Sequence, residues 1–117
     1  YNLSNILAAA AIGHYFSIAD HLIMDAIEGY IPTNNRSQLL KTTFNQLFLD
    51  AYNANPTSVK AAISNFERLN LPNKCLILGD MFELGDEAIQ DHYEIIQSIE
   101  KSDYKKIILV GDIFFFF

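Results

Sequence analysis

Two stretches decide how this chain folds: Cys75-Leu76-Ile77-Leu78-Gly79-Asp80 and Ile107-Ile108-Leu109-Val110-Gly111-Asp112. Each is a short continuous apolar run that ends in Gly-Asp. Runs that are apolar throughout, rather than alternating, suit strands covered on both faces, as in parallel sheets. The two Gly-Asp pairs are separated by about 30 residues, one strand-helix-strand length. Between them Asp86 is placed to cap a helix that carries Ile89, His92, Tyr93, Ile96 and Ile99. Upstream, Asn55-Pro56 supplies an N-cap with Pro at the first helical position, and Val59, Ala62, Ile63, Phe66 and Leu69 keep helical spacing. The order helix, strand, helix, strand, with right-handed crossovers, predicts an α/β domain with a doubly wound, mostly parallel sheet. Ligands of such sheets gather beyond the carboxyl ends of the strands, which nominates the Gly-Asp edge for function.

Working outward, Leu39 to Thr42 and Gln46 to Ala51 read as a pair of strands, the second buried. The polar run Thr33-Asn34-Asn35-Arg36-Ser37 before them has the composition of a hinge, and the domain boundary is placed there. A helical pair precedes it. Leu3 to Phe16 is Ala-rich with little polar face, and is expected to be largely buried. Ser17 with Asp20 reads as an N-cap with an acidic residue at N3, followed by the stripe Ile18, Leu22, Ile23, Ala26 and Ile27, with Gly29 as the stop and Pro32 beyond it.

A length of 117 residues allows one domain, or one domain and a piece of another. Half the residues are apolar, so a core can form. A formal charge of -6 argues against a nucleic-acid partner. The single Cys75, at the head of an apolar run, reads as a small buried hydrophobe in a protein of a reducing, cytoplasmic compartment. Ile6 to Ile12 is too short to span a bilayer, so no membrane insertion is expected. The chain opens at Tyr1 and ends on Phe114-Phe115-Phe116-Phe117, which reads as a piece of a longer chain. There is no GxxxxGK[ST] and no GxGxxG, and His14, His21 and His92 fall on separate helices, so no metal site is expected.

Asp50-Ala51-Tyr52-Asn53-Ala54-Asn55-Pro56 joins a strand to a helix and gathers one carboxylate and two carboxamides. Such a junction suits a ribose, an amide or an anion. Equally, Asn55 caps the helix and Asp50 bonds the turn's backbone. Arg36 is either a solvated hinge arginine or a phosphate contact.

The strings DAYNANPTS, NNRSQ and ILGDMFELG, in this order and spacing, resemble the Mur ligase family, and within it the branch that adds D-alanyl-D-alanine to UDP-N-acetylmuramoyl-tripeptide. Tyr1-Asn2-Leu3-Ser4-Asn5, followed by Ala8 and Ala9, is similar to the family's HNxxNxxAA segment, with Tyr1 where relatives often have His. The resemblance runs to Gly111, and the Phe tetrad matches nothing in the family.

It implies that residues 1–33 are the tail of the central ATP-binding domain. Residues 34–117 are then the first part of a Rossmann-like C-terminal domain. It further implies ATP and Mg2+ as cofactors, with UDP-N-acetylmuramoyl-tripeptide and D-alanyl-D-alanine as substrates of an ADP-forming ligase working through an acyl phosphate.

By the same resemblance Asn5 faces adenine, Arg36 the phosphates and Asp50 the ribose hydroxyls, with Asn53 and Asn55 on the same loop. These pairings suit the donors and acceptors involved. Asp80 and His92 are candidates for the substrate side, His92 having packing or capping as its alternative, and Met81 and Glu83 are read as loop structure. The P-loop, the Mg2+ ligands, the carbamylated lysine and the UDP-binding domain belong upstream of Tyr1. The chain alone is therefore expected to be inactive, and the full-length protein monomeric.

Two further classes stand beside the ligase: a non-catalytic α/β nucleotide-binding or regulatory module, and a structural oligomerisation domain. The isolated chain is expected to self-associate through its C-terminal end unless the tetrad folds back on the helix from Val59 to Leu69.

Overall fold

In the computed structural model residues 3–117 are described; Tyr1 and Asn2, which open the HNxxNxxAA-like segment, lie outside the described residues. The chain divides into two compact units, Tyr1–Tyr52 and Asn53–Phe117.

In the first unit, helix α1 spans Leu3–Tyr15, driven by its run of alanines. It closes at Ser17, whose φ is 57°. Ser17 N–H bonds to His14 O at 2.9 Å and Ile18 N–H to Gly13 O at 3.0 Å, the paired 5→2 and 6→1 closure of a helix C-terminus. Ser17 therefore ends α1 and does not open the next helix. An N-cap needs extended backbone, and Ala19 has it (φ −61°, ψ 138°), so α2 runs Asp20–Glu28 with Ala19 as a cap that makes no side-chain bond. Gly29 stops α2 as expected, at an ordinary φ of −78°.

The two helices meet where Gly13 lies under Ile23; a Cβ at Gly13 would be 2.9 Å from Ile23 Cδ1. Gly13 is the one buried residue of α1, and Leu3, Leu7 and Ile12 stay exposed. The expected burial of α1 is not seen, because a single neighbouring helix covers only a strip.

Strands β1 (Gln38–Lys41) and β2 (Gln46–Leu49) form an antiparallel hairpin with Gln38 opposite Leu49 and Lys41 opposite Gln46. Thr42 closes the turn: its N–H bonds to Asn45 O at 2.8 Å, and its Oγ1 accepts from Asn45 N–H at 2.9 Å. Leu47 and Phe48 are exposed rather than buried, since two strands alone provide no layer to cover a face.

In the second unit, α3 (Pro56–Arg68) begins as the sequence requires. Asn55 Oδ1 accepts from Ser58 N–H at 2.9 Å while Ser58 Oγ accepts from Asn55 N–H at 3.2 Å. Strands β3 (Cys75–Gly79) and β4 (Lys106–Val110) pair in parallel, from Cys75 opposite Lys106 to Gly79 opposite Val110. The crossover helix α4 (Ala88–Ile99) follows a 3-10 turn, Gly85–Glu87. Asp86 lies inside that turn, and Glu87 stands at the N-cap of α4 with no side-chain bond. Gly85, at φ +61°, admits the turn and displaces the expected cap by one residue.

Ile63 of α3, Ile95 and Ile99 of α4, and Met81 and Phe114 beyond the strands form the core, with Leu76, Leu78 and Leu109 packed against it. Both helices thus cover the same sheet face. The other face carries Cys75, Ile77 (66% exposed), Ile108 and Val110 (55% exposed). The α/β class and the parallel pairing are as read from the sequence. Cover on both faces and a buried Cys75 are not, because no described helix lies over the second face.

The tetrad folds back onto α4 rather than α3: Phe114 is buried with its ring edge-on to His92 at 4.6 Å, and Phe117 stacks on Tyr93 at 5.8 Å. Among the described residues no helix is long and apolar enough to cross a membrane.

Candidate functional site

Asn35 and Ser37, on either side of Arg36, adopt left-handed φ values of 57° and 49°. Non-glycine residues enter that region at a cost, and the surroundings must hold them there. Here Asn35 O accepts from Ala51 N–H at 2.8 Å, Asn35 N–H donates to Gln38 Oε1 at 3.3 Å, and Ser37 N–H donates to Asp50 Oδ1 at 3.1 Å. The guanidinium carbon of Arg36 lies 3.7 Å from the centroid of the Tyr52 ring. Arg36 and Asp50, distant in sequence, are thereby brought to the open end of one hairpin.

Asn55 caps α3 as its residue type allows, whereas the Asp50 carboxylate bonds the backbone of Ser37 in the hinge and not that of its own turn. Asn5 stands on the exposed surface of α1, and Asn53 is exposed at the start of the second unit.

At the carboxyl ends of β3 and β4, Asp80 N–H extends the ladder to Val110 O at 3.0 Å. The Asp80 carboxylate accepts from Ile113 N–H at 2.9 Å and from Phe114 N–H at 3.1 Å. Gly111, at φ +133°, makes room for it; a Cβ there would meet Asp80 Cγ at 2.1 Å.

His92 is fully buried. Its Nε2 accepts from Met81 N–H at 2.9 Å, so Nδ1 carries the proton and donates to Ala88 O at 2.6 Å. Asp80 Oδ1 is 3.7 Å from Nε2, beyond a hydrogen bond. His92 is thus packed in the core and braces the loop after β3 through Met81, and Asp80 is engaged with backbone of the loop after β4. Met81, read from sequence as loop, is a core residue; Glu83 is loop, with φ 63°.

At the opposite ends of the strands, Glu67, Lys74, Ser102, Asp103 and Tyr104 line an open cleft of about 320 Å³. Glu67 Oε1 accepts from Ser102 Oγ at 2.5 Å, and Lys74 Nζ donates to Glu67 O at 2.6 Å. Burial, and then the Glu67 charge, push the Tyr104 phenol up to about 12. Among the described residues no three His, Cys, Asp or Glu side chains are placed to hold a metal ion.

Sequence reasoning placed Tyr52 within the string DAYNANPTS and Gly111 on the Gly-Asp edge, but gave neither of them a contact. The first is signalled only by an aromatic two residues after Asp50; the second only by the repeat of Gly-Asp.

A parallel strand-helix-strand unit whose Gly-Asp ends carry the loops defines the class, a Rossmann-like α/β domain. The family model described as "Mur ligase, glutamate ligase domain" matches residues 35–113. The chain belongs to the Mur ligase family.

It is 39% identical, over 95% of its length, to the UDP-N-acetylmuramoyl-tripeptide--D-alanyl-D-alanine ligase of Bacillus subtilis (strain 168). Identity to the protein of the same name from Treponema pallidum (strain Nichols) is 32%, again over 95% of the chain. It spans about a quarter of those relatives, 25% and 24%. Among solved structures, the UDP-N-acetylmuramoylalanyl-D-glutamyl-2,6-diaminopimelate--D-alanyl-D-alanyl ligase from Acinetobacter baumannii superposes with a TM-score of 0.84 at 27% identity, covering 96% of this chain and 24% of that one.

Proposed function

We propose that this chain is the nucleotide-closing part of an ADP-forming ligase that adds D-alanyl-D-alanine to UDP-N-acetylmuramoyl-tripeptide. The observation that carries this is the near end-to-end match to relatives bearing that one name. The alternative of a non-catalytic nucleotide-binding or regulatory module is not favoured by it. The boundary between the central and C-terminal domains is placed at the hinge, residues 1–33 against 34–117. The start of the family match at residue 35 supports this, although the hairpin falls within the first compact unit.

The residues present suit a nucleotide. A guanidinium carries five N–H donors suited to phosphate oxygens, and a carboxylate at the hairpin base can accept from ribose hydroxyls. Arg36 and Asp50 would hold ATP in this way, with Asn5, Asn53 and Asn55 on the adenine and loop side. Bound ATP supplies the phosphoryl group that activates the tripeptide carboxylate. Mg2+ ligands are assigned upstream of Tyr1. Asp80 and His92 are proposed for the substrate side, Asp80 bracing the loop after β4 and His92 the loop after β3.

In the full-length ligase, Asp50→Ala is expected to raise the KM for ATP by the equivalent of about 1–3 kcal/mol, and Arg36→Ala to lower kcat as well. Unchanged ATP kinetics in both would remove them from the site. The purified 117-residue chain is expected to release no phosphate from ATP. Release that co-elutes with the chain through chromatography contradicts this.

A further inference from the structure

We infer that Tyr52 is a positioning residue: its ring is the platform that presents Arg36 to the phosphates of bound nucleotide. The inference rests on the reading of Arg36 given above. A free arginine side chain samples many rotamers, and fixing it costs entropy. A carboxylate partner would fix it but would occupy two N–H donors and cancel its charge. An aromatic face does neither. The guanidinium carbon lies over the Tyr52 ring, 3.7 Å from its centroid, and a cation held against a π-face uses none of its N–H donors on a carboxylate.

The backbone is arranged for this contact. The left-handed residues Asn35 and Ser37 bracket Arg36, and both are tied to the strand that leads into Tyr52, through Ala51 N–H and the Asp50 carboxylate. The two left-handed residues, braced by three hydrogen bonds, fix the backbone from which the Arg36 side chain departs towards Tyr52. Tyr52 is itself 60% exposed, so the ring is not held in place as a core residue.

The test has two arms. In the 117-residue chain, NMR should place the Arg36 δ-protons upfield through the ring current of Tyr52. The displacement should vanish in Tyr52→Ala and persist in Tyr52→Phe. In the full-length ligase, Tyr52→Ala should lower kcat/KM for ATP about two- to five-fold, the equivalent of an exposed cation–π contact, with the KM for D-alanyl-D-alanine unchanged. Tyr52→Phe should restore most of the loss, and Tyr52→Ala should cost nothing further in an Arg36→Ala background.

An additive loss in that background, a Phe variant as impaired as Ala, or no ring-current displacement overturns the inference while leaving Arg36 in the site. Wild-type ATP kinetics in Arg36→Ala overturns the reading beneath it, and with it the role given to Tyr52.

Discussion

Ile95 and Leu47 are both apolar residues inside regular elements, yet Ile95 is fully buried and Leu47 is 42% exposed. The difference belongs to their units. Residues 53–117 bring two parallel strands under two helices, so that Ile63, Ile95, Ile99, Met81 and Phe114 meet in one place. The helical pair and the hairpin of the first unit each consist of two elements with no third layer. Their order comes from local devices instead: the paired closure at Ser17, the Thr42 turn and the bonds that brace Asn35 and Ser37. The proposed nucleotide-facing residues Arg36 and Asp50 thus sit where hydrogen bonds, and not burial, set the geometry. Segments of this kind open at low free-energy cost, which would suit the closing role proposed above.

The largest effect should come from the core. Ile95→Ala is expected to cost about 2–5 kcal/mol in urea denaturation, against less than about 1 kcal/mol for Leu47→Ala. Equal losses would break the comparison. Next comes Gly111→Ala, which forces a side chain into left-handed backbone at the Asp80 carboxylate and should cost about 1–3 kcal/mol. The amide signals of Ile113 and Phe114 should shift with it. Unmoved amides in that variant would mean that the Asp80 bonds do not hold the loop.

The smallest effect concerns pH. The Tyr104 phenol is raised in the folded state from 10.0 to about 12, so its contribution to stability is complete below about pH 10 and is lost as the pH rises towards 12. Absorbance titration should show one of the six tyrosines ionising late, and Tyr104→Phe should remove that component alone. A curve unchanged by Tyr104→Phe would detach the shift from this cleft.

What could be read from the sequence was what is encoded locally. Asn55-Pro56 announces a helix start because cap and first turn are neighbours in the chain, and the Gly-Asp runs announce strands by their own composition. Ser17 was misplaced because a serine three residues before an aspartate fits an N-cap, while its actual conformation closes the preceding helix. Cys75, the second sheet face and β2 were assigned too much burial, since burial depends on which elements lie over a face.

The candidate site divides in the same way. Arg36 and Asp50 were legible from motifs, whereas the ring beneath Arg36 and the glycine beside Asp80 depend on distances across loops that no local pattern records.

The Asp80 carboxylate has a consequence for the order in which the second unit assembles. It reaches backbone 33 and 34 residues further on, across the whole crossover. Closing so long a loop is entropically unfavourable until the intervening strand and helix are in register. The bond therefore acts as a latch, set only after β4 has found β3. Protection of the Ile113 and Phe114 amides in pulsed hydrogen exchange would then mark the moment at which the crossover is complete, later than protection within α3 or α4.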